Sequence, residues 1–163
     1  MATWAIRPIT PVHWQDKEAY RTFPLASGET FLKGAPAVYT SGANTVEEGG
    51  TDPSPILGFF TADAADYSWM DDTFGHVAPA VPIALAEGNV FRGTLEATYD
   101  EATHVIGFEC GIVLDASGYW TLDAADTSNV LARIVGIEDG VEDGDVNIPV
   151  RFVVIEADRE VVS

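Results

Sequence analysis

A chain of 163 residues suffices for one ordinary domain, and 47% hydrophobic content with 8 Phe, 5 Tyr and 4 Trp excludes a disordered polymer. Its 8 Lys and Arg against 26 Asp and Glu leave a formal charge of −18, a sign repelled by DNA, RNA and anionic membranes, which excludes nucleic acid as the main partner. No apolar run approaches the ~20 residues of a membrane helix.

Residues 1–26 read as an extended amino-terminal arm and residues 27–163 as a single β domain. Pro8, Pro11 and Pro24 disfavour a long helix in the arm, and only residues 14–20 suit a short helical turn. Trp4, Ile6, Ile9, Val12, Trp14, Tyr20 and Phe23 are too apolar for a free tail. They must bury on the chain's own body or on a neighbour, and extended arms favour a neighbour's sheet edge. The charge is uneven in the same sense. Residues 1–34 hold Arg7, Lys17, Arg21 and Lys33 against Asp16, Glu18 and Glu29, whereas the remainder is strongly acidic.

Strands are expected at residues 35–40, 56–61, 81–86, 90–96, 111–114, 119–122, 130–137 and 148–156, separated by Gly, Pro, Asn and Asp turns. Gly58 inside an apolar strand predicts a bulge or a close backbone approach. Residues 62–75 show no clear period and read as a loop or short helix. The turn at Glu87, Gly88 and Asn89 predicts a hairpin of its flanking strands, and residues 115–118 predict a second. In the last strand Val150, Phe152 and Val154 take one face, with Arg151, Val153 and Ile155 on the other. About eight short strands with little helix imply an all-β fold: a small β-barrel, or a β-tulip or sandwich.

The chemistry-bearing patterns are sparse. Cys110 stands alone among Phe108, Ile112 and Val113, which predicts a buried thiol behaving as a small hydrophobe. The acidic stretch 138–147 fails as a calcium loop. Counted from Asp139 its sixth position is Gly144, but its twelfth is Val150 where a bidentate Glu is needed, so a solvated acidic turn is expected. His13, His76 and His104 have no ligand spacing and read as isolated polar or surface side chains. No Gly-x-Ser-x-Gly elbow and no phosphate loop is present, and with 26 acids carboxylate pairs are inevitable. No catalytic, cofactor or metal site is expected. Met1 to Ala5 carries no basic n-region and no apolar h-region follows, so export by a signal peptide is not expected either.

Two stretches carry a resemblance. LASGETFLKGAPAVY over residues 25–39 joins an aromatic, Lys33 and Gly34 to an apolar strand ending in Tyr39. After a turn at residues 40–48 it is followed by PILGF over residues 55–59. This resembles the opening of small capsid decoration (cement) proteins of tailed bacteriophages. The ending from YWTLD at residues 119–123 to Glu156 is similar to the strand, acidic turn and strand of related phage head proteins. The resemblance covers about half the chain and departs from the family at the aromatic arm and at residues 62–82. It implies a virion structural protein, assembled in the host cytoplasm, that sits on the outer capsid surface, often as a homotrimer, and stabilises contacts of the major capsid protein. Trp4, Ile6, Ile9, Trp14, Tyr20 and Phe23 are then the capsid-interface candidates, with the acidic body facing solvent. The alternative is a carbohydrate- or receptor-binding β module, using Trp69 with Tyr67 or Trp120 with Tyr119 as a sugar platform. A carboxylate-pair enzyme is a third reading.

Overall fold

The computed structural model describes residues 1–14, 20–42, 44–66 and 80–160. These residues form eleven strands and two short 3₁₀ turns, at residues 64–66 and at Glu156–Asp158. The strands are β1 (Thr10–Trp14), β2 (Tyr20–Pro24), β3 (Pro36–Tyr39), β4 (Val46–Glu48), β5 (Gly58–Phe60), β6 (Ala80–Leu85), β7 (Asn89–Thr98), β8 (Glu109–Leu114), β9 (Trp120–Asp123), β10 (Ala132–Ile137) and β11 (Val146–Val154). All eight expected strands are present, with shifted ends. The additions are β1, β2 and β4, and β4 falls in what the sequence reads as a turn.

Two sheets share one core. The first runs β1-β7-β11-β10-β8-β9, and β9 returns to pair with β7 in parallel at Leu95 with Leu122 and Glu96 with Asp123. Strands β7, β11, β10, β8 and β9 therefore close into a ring, through two residue pairs between β10 and β8 and two between β7 and β9. The second sheet runs β2-β6-β5-β3-β4. A bridge from Leu25 to Val46, with the Ala26 N–H donating to the Val46 carbonyl at 2.8 Å, draws its two ends together. Three rings join the sheets: Phe59 of β5 meets Phe91 of β7 edge-on at 4.8 Å and Phe152 of β11 at 6.0 Å. Trp120 of β9 adds a polar tie, donating its indole N–H to the Glu48 carboxylate of β4 at 2.8 Å.

The expected alternation in β11 holds, with Val150, Phe152 and Val154 buried and Arg151 exposed. The hairpin through Asp115 also forms, pairing Leu114 with Trp120. The hairpin expected around Gly88 does not. Strand β6 pairs with β2 and β5 while β7 pairs with β1, β9 and β11, so this turn carries the chain from one sheet to the other. Asn89, itself buried, holds the crossing by donating its side-chain amide to the Leu85 carbonyl at 2.9 Å.

The amino-terminal segment is not a separate arm. Strand β1 pairs antiparallel with β7, and β2 pairs along its full length with β6. Ile9 is 1% exposed and Phe23 9%, so two of the seven side chains that the sequence assigns to a neighbour join the core at home, as does Leu25. The physical reason lies partly in Gly34. It takes a left-handed φ of +86°, and a Cβ there would sit 2.5 Å from the Ile9 backbone nitrogen. Only glycine lets the segment lie that close. The possible helical turn at residues 14–20 and most of the 62–75 loop lie outside the described residues.

Candidate interaction surface

The first residues pair with the beginning of β11. Thr3 bridges Val146 in parallel, the Trp4 N–H donates to the Val146 carbonyl at 2.9 Å, and the Val146 N–H donates to the Ala2 carbonyl at 2.8 Å. Asp145 anchors this strap from the acidic turn. Its carboxylate accepts the Ala2 N–H at 2.6 Å, the Trp4 indole N–H at 3.0 Å and the Glu142 N–H at 3.1 Å. Those donors, the indole first, hold the Asp145 carboxyl below its ordinary range. The acidic turn is thus partly a dock for the chain's own beginning.

Further along, the Arg7 N–H donates to the Thr94 hydroxyl oxygen at 3.3 Å before Ile9 dives into the core. Between the strap and the sheet lies a cavity of about 350 Å³ lined by Trp4, Arg7, Pro8, Thr10, Arg92, Thr94 and others. Strand β1 then pairs with β7 alone and forms one end of its sheet, so its outer side has no strand partner among the described residues. Val12 is exposed on it.

Of the six interface candidates, Ile9 and Phe23 belong to the core and cannot meet a partner in this fold. Phe23 instead packs edge-on against Tyr39 at 6.0 Å. Trp4, Ile6 and Tyr20 are half-buried, and Trp4 and Tyr20 pack against the core. The Trp14 backbone pairs with Asn89, while its side chain lies outside what the structure describes. The segment does expose Val12. Elsewhere Val105, Ile106, Leu114 and Val135 are exposed apolar residues that sequence reasoning did not single out. Val135 was findable, because it alternates with buried Ile134 in β10.

Other candidates resolve into packing. Cys110 is fully buried and its thiol is pushed up to about 12, chiefly by desolvation and then by Asp123 and Asp126. His104 is buried, contrary to the surface reading, between Tyr99 and Phe108, and its Nδ1 accepts the Asp100 N–H at 3.0 Å. Trp120 is 4% exposed and serves the core, which removes it from any sugar platform, while Tyr67 and Trp69 lie outside the described residues. Asp100, Asp115, Asp123 and Asp126 each accept a backbone N–H two residues ahead, closing Asx turns. Among the described residues no group of three or more His, Cys, Asp or Glu is arranged to hold a metal ion. Comparison with family models, curated proteins and solved structures gives no match to this chain.

Proposed function

We propose that this chain is a non-enzymatic decoration protein that binds the outer surface of a tailed-phage capsid and strengthens contacts between major capsid protein subunits. The observation that supports the reading is β1. It is a strand with one open side, it carries exposed Val12, and it sits beside the half-buried Trp4 and Ile6. An extended segment of a capsid subunit laid along that side would gain backbone hydrogen bonds and apolar contact together. The resemblance in residues 25–39 and 55–59 points the same way, and the net charge of −18 suits a body kept in solvent and away from packaged DNA. Trimer formation on the shell would multiply weak contacts into firm attachment.

The test is co-sedimentation with empty shells of the phage's major capsid protein. Deleting residues 1–26 is unsuitable, because it removes two strands and three core side chains. Val12→Asp alters the open side alone and leaves the core intact. The wild-type protein is expected to bind saturably at a fixed ratio to capsid subunits, and Val12→Asp about tenfold more weakly, equivalent to roughly 1.4 kcal/mol. No saturable binding by the wild type would end the capsid reading. Equal binding by the variant would move the contact away from β1.

A further inference from the structure

We infer that the cavity under the amino-terminal strap is a carboxylate-binding site, which takes a Glu or Asp side chain from an extended acidic segment of a partner protein. The inference rests on β1 being a docking edge and goes beyond it by naming what the partner must carry.

Charge is the first observation. The chain has 8 basic residues against 26 acidic ones, yet two arginines, Arg7 and Arg92, line this one cavity. A third, Arg151, is the direct cross-strand partner of Arg92, so both side chains project from the same outer face of the sheet. Glu138 is their shared counter-charge, 3.4 Å from Arg92 and 3.9 Å from Arg151. Three guanidinium groups against one carboxylate leave a positive excess on an otherwise acidic molecule. Among the described residues the Arg7 side chain has no ion-pair partner.

Unused hydrogen-bonding capacity is the second. The Nε of Arg92 is shut off from solvent and has no hydrogen-bond partner among the described residues. The Oε2 of Glu138 beside it likewise has no hydrogen-bond partner, while the Arg92 side chain as a whole is 42% exposed, so a carboxylate in the cavity would meet it where it is open to solvent. Thr94 uses its oxygen to accept the Arg7 N–H, and its own hydroxyl proton donates to nothing described. The wall therefore offers donors of two kinds, guanidinium and hydroxyl, to one anionic group.

Shape and placement select the occupant. The remaining wall is apolar, with Trp4, Pro8 and Pro149, and suits the methylene stem of an acidic side chain better than a bare ion. Thr10 belongs both to the cavity wall and to β1, and its cross-strand partner is Arg92. A polypeptide laid along the open side of β1 thus brings alternate side chains to the face that holds the arginines.

The test uses the intact chain and needs no shell. A capped heptapeptide of Thr and Val with one central Glu is titrated while the Trp4 indole and Arg92 Nε resonances are followed by ¹H–¹⁵N NMR. The same peptide with Gln and inorganic phosphate are the comparisons. Both resonances are expected to shift saturably with the Glu peptide, with the Gln peptide about tenfold weaker. Arg7→Gln, at an exposed position with no role in the core, should weaken the Glu peptide severalfold and leave the rest of the spectrum unchanged. Equal binding of the Gln peptide, tighter binding of phosphate, indifference to Arg7→Gln, or no shift at all would each overturn the assignment. Shell co-sedimentation fails or succeeds separately, so the two readings fall independently.

Discussion

Asp145 belongs by sequence to an acidic turn and by structure to the anchoring of the chain's first residues, Ala2 and Trp4. Its carboxylate accepts from Ala2, Trp4 and Glu142, and those bonds depress its ionisation. A depressed carboxyl stabilises the fold above the ordinary Asp range, and that contribution is lost as pH falls through the lowered value. Asp100, Asp115 and Asp126 are lowered in the same direction by the N–H and hydroxyl groups they accept. Stability should therefore decline on acidification below the carboxylate range. Asp145→Asn should lose part of that decline and should speed amide exchange at Trp4 and Val146 at neutral pH. Exchange unchanged in the variant would show that the strap is held by backbone pairing alone. That Asp145 turns inward was not legible, because Glu138, Asp139, Glu142, Asp143 and Asn147 offer equally polar side chains in the same stretch. Cys110 was legible, since its flanking apolar residues already place it inside.

At the scale of elements, strand existence was easier to read than strand partnership. The glycine in β5 is a case where the local signal was sufficient. A Cβ on Gly58 would lie 1.9 Å from the Ala84 carbonyl oxygen, so β5 and β6 touch through a residue that must have no side chain. Gly58→Ala should destabilise the protein by about 3 kcal/mol through this overpacking, read as a lower urea midpoint with an unchanged slope. A loss of less than ~0.5 kcal/mol would mean the strands separate freely, against the close approach described. The turn at Gly88 is the opposite case. Its residues suit a hairpin, yet the flanking strands enter different sheets, because β7 pairs with the nine-residue β11 and with β1 while β6 is taken by β2 and β5. Nothing local in Glu87, Gly88 or Asn89 distinguishes those outcomes. Strand β4 was missed for a related reason: with three residues, two of them Glu, it forms only because β3 and the Leu25 bridge flank it.

Across the whole molecule, Phe59, Phe91 and Phe152 tie a closed ring of strands to a second sheet. Sheets that share a core should unfold together. Phe59→Ala is expected to cost about 3–5 kcal/mol and to lower the transitions of both sheets equally. Near-ultraviolet circular dichroism and exchange at Cys110 and Ala84 amides would report the two sheets separately, and a split between them would argue for two independent units. The amino-terminal segment contributes to both sheets, with β1 in one and β2 in the other, so it fastens the halves and leaves only an edge for a partner.

The sequence by itself determined the all-β class, eight of the strands, the inward and outward faces of β11, the buried thiol and the acidic character of the body. Those features depend on residue type and on a period of two along the chain, which neighbouring residues fully specify. Only the tertiary structure decided that β1 and β2 join the sheets of their own chain, that β6 and β7 part company, and that Arg7 and Arg92 line one cavity with Arg151 across from Arg92. Each of these depends on which distant backbone lies alongside: Ile9 against Gly34, Arg92 opposite Arg151, Thr3 beside Val146. Register between strands far apart in sequence is set by the shared core and the closure of the sheets, and no local pattern encodes it.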